Sequence, residues 1–163
     1  MPRHINPDDY LLTPTGRIWS AERGKAAWES AYAALEAELQ SIGSPATLYV
    51  VCGIQGAGKS TWIREEGSLL PAPAVFFDAA LPAKIHRERA ISIARRFGIP
   101  VTIIWLNTPL DTALARNQSR PADEQVPEET IRLVHAKLEP PALDEGVARV
   151  IEVHAHWNAP VGI

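Results

Sequence analysis

The run Leu48 to Thr61, LYVVCGIQGAGKST, constrains the fold more than any other stretch of the chain. A β-branched and apolar segment, TLYVVC, enters a glycine-rich loop, and a helix-compatible segment starts directly after it at Lys59. Such a run suits a buried strand feeding a helix through a tight turn. Gly53 to Ser60, GIQGAGKS, fits G-x-x-x-x-G-K-[ST] in full, in the strand-to-helix context that the chemistry requires. The glycines let the backbone curl so that several N–H groups point inward around phosphate oxygens. The helix N-terminus behind them adds about half a positive charge. Lys59 can reach the β- and γ-phosphates, and the Ser60 hydroxyl can ligate Mg²⁺. Gly53, Gly56, Ala57, Gly58, Lys59, Ser60 and Thr61 are therefore the predicted nucleotide-binding residues, with ATP and Mg²⁺ as the expected ligands.

The remaining periodicity is that of an α/β chain. Trp28, Tyr32, Leu35, Leu39 and Ile42 recur at spacings of four and three, one face of a helix from about Ser20 to Ser41 that Gly43 and Pro45 stop. After the loop, Lys59 to about Glu66 reads as a helix. AVFF before Asp78, VTIIWL after Pro100 and ARVIEV near the C-terminus read as further strands. Ala83 to Phe97 carries Ala90, Ile93, Ala94 and Phe97 on one side. Thr108, Pro109 and Asp111 read as N-cap, N1 and N3 of a helix to about Asn117. Pro127 and Glu128 open another that reaches Leu138. Strands alternating with helices predict a three-layer P-loop NTPase fold with a mostly parallel sheet of four to five strands. With 163 residues, 46% of them hydrophobic, the chain suits a single domain. Residues 47–163 form its expected nucleotide-binding core, and 1–46 an acceptor-side or packing segment.

Composition narrows the function classes. A formal net charge of −3 is not the footprint of a protein held mainly by nucleic-acid phosphates. Cys52 is the sole cysteine, so neither a disulfide framework nor a thiolate metal cage is expected. His135, His154 and His156 form no metal-ligand pattern. The start, MPRHINPDDY, lacks the basic-then-apolar pattern of a signal peptide, and no apolar run approaches the roughly 20 residues of a membrane span. The expectation is a cytoplasmic protein with no membrane partner.

Phosphoryl transfer by such a loop needs an acidic residue at a strand end, a basic lid and an acceptor pocket. Asp78 closes AVFF at the carboxyl edge of the predicted sheet, where it can serve the magnesium shell or take a proton. As a structural residue it is a turn or helix-cap aspartate. Arg116 and Arg120 lie in LARNQSRPADEQVP, a helix end followed by a proline-bounded loop. From there a guanidinium can neutralise charge on a transferring phosphoryl group, or simply sit in water near a helix C-terminus. His86, Arg87, Arg89, Arg95 and Arg96 read as the wet face of an amphipathic helix.

Laid in order, these pieces resemble a polynucleotide-kinase-type P-loop kinase, the group that includes zeta-toxin-like small kinases. The resemblance rests on GIQGAGKSTWI, FFDAALPAKIHRERAISIARRFGIPVTIIWL, LARNQSRPADEQVP and KLEPPALDEGVARV. It implies lid roles for Arg116 and Arg120, and a segment leading to the last strand through Pro141, Glu145 and Gly146. The chain departs from that pattern in two places. DAAL stands where the family often has Asp-x-Thr-Asn. Only 17 residues, Thr61 to Phe77, separate Ser60 from Asp78, too few for the strand and helices that normally carry the catalytic Asp and the acceptor. HINPDDYLLTPTGR resembles that missing strand-end segment, and a long amphipathic helix follows it. A circularly permuted order is the hypothesis, with Asp8 or Asp9 as general base; the plain reading is a polar tail before a packing helix. The expected activity is transfer of the ATP γ-phosphate to a hydroxyl, on a nucleic-acid 5′ end or on a small metabolite or nucleotide sugar. A reading from another class is an ATP-binding switch or interaction module that uses the Trp28 face for a partner.

Overall fold

The computed structural model describes residues 3–43 and 45–154; His156 lies outside them. Its order is β1 (Arg3–Ile5), a 3-10 turn (Pro7–Leu11), a hairpin of β2 (Leu12–Thr13) and β3 (Gly16–Arg17), and α1 (Ala21–Ile42). There follow β4 (Thr47–Cys52), α2 (Lys59–Glu66), β5 (Ala74–Asp78), α3 (Lys84–Arg96) and β6 (Val101–Asn107). Then come α4 (Leu110–Gln118), a 3-10 turn (Ala122–Glu124), α5 (Glu128–Ala136) and β7 (Arg149–His154). The main sheet has five strands in the order β1-β5-β4-β6-β7. Every pairing in it is parallel.

Side-chain alternation along β4 explains the layers. Leu48, Val50 and Cys52 face one cluster with Val75, Phe77, Ile103 and Trp105, which α1 and α3 cover. Tyr49 and Val51 face the other, with Phe76 and Ile104 of the neighbouring strands and Trp62, Ile63, Leu114 and Ile131 from the opposite helices. The sheet is thus apolar on both faces, as a parallel sheet must be when helices cover it. Thiol ionisation is suppressed in this setting: burial pushes the Cys52 thiol up to about 12.

Helix α1 lies on the first face. Ser20 accepts the Arg23 N–H at 3.1 Å and starts it, and the Gly43 N–H returns to the Leu39 carbonyl to end it. Tyr32 stacks on Phe77 with ring centroids 5.4 Å apart, and Trp28 lies 6.4 Å from the same ring. The Trp28 face is therefore sheet packing, which corrects the expectation that it is open to a partner.

Two further expectations change. Pro109, with φ −55° and ψ 143°, is itself the extended residue before α4, so the helix starts at Leu110 and Thr108 is not its N-cap. The Thr108 hydroxyl instead donates to the Ala57 carbonyl at 2.9 Å. On α3, Arg87 is not on a wet face but fully buried. It holds Glu145 through two bonds of 2.7 and 3.1 Å and donates to the carbonyls of Leu81, Pro82 and Glu139. The loops after β5 and after α5 are tied together at that point. His86 accepts the Ala83 N–H at Nδ1, 3.1 Å away, and so caps the start of α3.

The connection from α2 to β5 contains only a 3-10 turn, Gly67–Leu69, before the strand begins. The strand on the far side of β5 comes instead from the chain's start. β1 pairs with β5 through Arg3–Val75, His4–Phe76 and Ile5–Phe77. Arg3 also forms an ion pair with Glu38 of α1. The segment after β1 therefore leaves the sheet at the carboxyl edge, on the same side as the loop after β4.

Candidate functional site

The loop from Gly53 to Ser60 takes its shape from left-handed backbone at two glycines. Gly56 has φ +84°, and a Cβ there would stand 2.3 Å from the Ala113 carbonyl oxygen of α4. Gly58, with φ +99°, is the N-cap of α2, so the first amides of that helix point into the loop. The far side of the loop is held through the Ala57 carbonyl, which accepts from Thr108 Oγ1 at 2.9 Å and from an Arg116 guanidinium nitrogen at 3.1 Å. Lys59 Nζ folds back on the loop, donating to the Gly53 and Ile54 carbonyls at 2.9 and 3.1 Å. Burial lowers the Lys59 pKa; the carboxylates of Asp78 and Asp8 oppose that shift, and the charge of Arg120 adds to it. Those charges therefore surround one ammonium group. Thr61 is buried in the first turn of α2.

Asp78 is 1% exposed at the end of β5. Its Oδ2 accepts the Ser60 hydroxyl at 2.6 Å, the Asn6 amide nitrogen at 3.3 Å and, 2.9 Å away, meets His4 Nε2. Its Oδ1 is buried without a hydrogen-bond partner. Burial alone would raise the Asp78 pKa, but the His4 hydrogen bond, the Lys59 charge and the Ser60 hydroxyl outweigh it and hold the carboxyl below its usual range. An ionised carboxylate with a free, buried oxygen beside a loop serine fits a hard cation such as Mg²⁺. Ser60 and Asp78 are the residues that would hold it.

The N-terminal segment completes this edge. Asn6 uses both ends of its amide: the nitrogen reaches Asp78, and the oxygen accepts the Asp8 N–H at 2.9 Å. Pro7 then opens the 3-10 turn that presents Asp8 and Asp9. Burial raises the Asp9 pKa; Arg17 and His4 oppose this, while Asp78 and Asp8 add to it. Arg17 of β3 lies 3.6 Å from Asp9 and 3.6 Å from Glu124, which belongs to the turn after α4.

That turn is the middle of the predicted lid. Asn117, buried at the end of α4, clasps its base by exchanging two hydrogen bonds with Val126, of 2.7 and 2.9 Å. Gln125 caps the Gln118 and Arg120 carbonyls from inside the loop. Arg116 meets the phosphate loop directly, and Arg120 reaches the site through its charge on Lys59.

The structure thus brings Lys59, Ser60, Asp78, Asp8, Asp9, Arg116 and Arg120 to one edge of the sheet. Sequence reasoning missed His4, Asn6, Arg17, Thr108 and Asn117. For His4, Asn6 and Arg17 a signal existed, because all three lie in HINPDDYLLTPTGR, the stretch already singled out. Among the described residues, no group of three or more His, Cys, Asp or Glu is placed to hold a metal ion. No helix there is long and apolar enough to cross a membrane.

A family profile described as an AAA domain matches residues 71–141. The fold is that of a P-loop NTPase. The matched stretch runs from just before β5 past α5, and so takes in Asp78, Arg116 and Arg120 but begins after the phosphate loop. No curated protein matches the chain. Among solved structures, the crystal structure of AvrRxo1-ORF1:AvrRxo1-ORF2 with sulphate ions is similar at 14% identity and a TM-score of 0.47. That match covers 71% of this chain and 56% of the other, so this chain spans little more than half of its length.

Proposed function

We propose that the protein is a magnesium-dependent kinase that moves the ATP γ-phosphate to an acceptor hydroxyl. The loop amides and Lys59 bind the phosphates, the ammonium exchanging the Gly53 and Ile54 carbonyls for phosphate oxygens. Ser60 and Asp78 would hold Mg²⁺, which would supply positive charge to those oxygens. Arg120 approaches the transferring group from the lid, and Arg116 fixes the lid's helix to the loop. The acceptor oxygen bonds to the γ-phosphorus as the bond to the β–γ bridging oxygen breaks. That electron pair leaves with ADP, and the acceptor proton passes to a carboxylate.

Asp8 is that carboxylate in this reading. Asp78 already accepts three hydrogen-bonding neighbours on one oxygen, and Asp9 faces Arg17. The charge of Asp8, like that of Asp78, acts on Lys59. The observation that carries the proposal is the hydrogen-bonded path from Ser60 through Asp78 to Asn6 and the Asp8 turn. It links the segment that carries Asp8 and Asp9 to the phosphate loop. The sequence resemblance to polynucleotide-kinase-type enzymes supports the same roles. Asp9, Asp123 and Glu124 gather around Arg17, and that acidity favours a small acceptor over a polynucleotide.

The test is γ-labelled ATP with Mg²⁺, offered an oligonucleotide with a free 5′ hydroxyl and a panel of hydroxylated metabolites. A labelled product is expected. Asp8→Asn should slow its formation by about 10²–10⁴-fold, the usual worth of a general base, while a fluorescent ATP analogue still binds. Slow hydrolysis alone, indifferent to Asp8→Asn, would instead mark a nucleotide-dependent module.

A further inference from the structure

The hairpin after the Asp8–Asp9 turn docks against the lid. The Arg17 backbone N–H donates to Asp123 Oδ2 at 3.1 Å. Gly16 packs so close that a Cβ there would stand 2.8 Å from the same oxygen. The Arg17 side chain, 18% exposed, extends between Asp9 and Glu124 at 3.6 Å from each. Those separations are ion pairs rather than hydrogen bonds, and Arg17 Nε is buried with no partner. One guanidinium thus faces carboxylates from two segments more than a hundred residues apart, one carrying the proposed base and the other the lid arginines.

We propose that Arg17 is a positioning residue that couples lid closure to the placement of the Asp8–Asp9 turn. The inference rests on the kinase reading for its consequence, but the coupling itself is a property of the apo protein. Its logic is electrostatic. Asp9 and Glu124 repel each other, and the Arg17 cation between them attracts both. With Arg17 between them, the lid turn is drawn onto the hairpin, and breaking that contact frees both segments. Two thermodynamically linked segments must respond reciprocally: what loosens the lid loosens the hairpin. The planar, forked guanidinium can face two carboxylates at once, which the point charge of a lysine does less well.

Hydrogen exchange of the full-length protein, read by mass spectrometry, tests this without requiring any activity. Arg17→Gln should speed exchange across residues 119–126 and 12–17 together, by about two- to fivefold, the scale of partly exposed ion pairs. Arg17→Lys should recover part of that protection. Glu124→Gln, on a half-buried residue, should loosen both segments in the same way and add little to Arg17→Gln. This second variant covers the case in which Arg17→Gln fails to fold. Exchange of the lid unchanged in Glu124→Gln, or loosened with no change in the hairpin, overturns the coupling. If labelled product forms, Arg17→Gln should also lower kcat/KM for the acceptor more than for ATP, with partial rescue by Arg17→Lys. Intact coupling with no product in any assay would count against the kinase reading alone. Product formation with an unresponsive lid would count against Arg17 alone.

Discussion

His4 Nε2 lies 2.9 Å from Asp78 Oδ2, a contact that joins the first strand of the chain to the carboxylate beside the phosphate loop. β1 is only three residues long and has one buried side chain, so backbone pairing and this contact carry much of its attachment. His4→Ala should lower unfolding stability by about 1–2 kcal/mol, because a buried carboxylate loses a donor. Arg3→Ala removes an exposed ion pair with Glu38 and should cost less than about 1 kcal/mol. Urea unfolding of the two variants checks the contrast, and equal losses would mean that the Asp78 contact is not what anchors the strand.

Asp9 gives the pH dependence a definite sign. Its pKa in the folded protein is raised above the ordinary 3.8, burial being the largest cause. The folded state therefore holds this proton more tightly than the unfolded chain does. The group's stabilising contribution is complete below 3.8 and is lost as pH rises through the raised folded value. Asp9→Asn should match the parent protein in the acid range and become relatively more stable as pH passes above that value. Urea midpoints collected from pH 3.5 to 7 give the curve. A variant that loses ground with rising pH would show that pairing with Arg17 outweighs burial.

How far the sequence went follows from the range of the forces involved. The phosphate loop, its strand and its helix were legible because their determinants are consecutive: an apolar run, glycines, then Lys59 and Ser60. β1 was not, since Arg3, His4 and Ile5 offer one apolar residue and become a strand only because β5 supplies a parallel edge. The hairpin is made of two-residue strands closed over a turn, below the length at which alternation can be read. Arg87 was misread for the opposite reason. Its neighbours on α3 are polar, and nothing local reveals that the stretch from Glu139 to Glu145 folds over it. Thr108 has the composition of an N-cap, but Pro109 takes the capping conformation and leaves the hydroxyl for Ala57.

Gly56 should tolerate no side chain. Its left-handed backbone and the Ala113 carbonyl, 2.3 Å from an added Cβ, act together, and that neighbour is backbone rather than a flexible chain end. Gly56→Ala must shift the loop or α4, breaking the register in which Arg116 and Thr108 hold the Ala57 carbonyl. A stability loss of about 1–3 kcal/mol, the range for overpacking and backbone strain, is expected. The fluorescent ATP analogue should bind more weakly at temperatures where the variant is still folded. Unchanged affinity would show that the loop can be displaced without harm to its amides.

Arg87 and Glu145 form an ion pair whose arginine side chain is fully buried and whose glutamate is 5% exposed. Arg87→Ala leaves the Glu145 carboxylate buried and removes donors from the carbonyls of Leu81, Pro82 and Glu139. Such one-sided losses cost about 3–5 kcal/mol. Arg87→Lys should recover little, because one ammonium cannot reproduce the fork that meets both carboxylate oxygens and three carbonyls. The double variant Arg87→Met with Glu145→Gln removes both charges and should be more stable than Arg87→Ala. Denaturant unfolding of the three variants decides the point. If Arg87→Lys proved as stable as the parent protein, charge alone would account for the clamp. If the double variant were no better than Arg87→Ala, the carbonyl contacts rather than the buried charge would carry its strength.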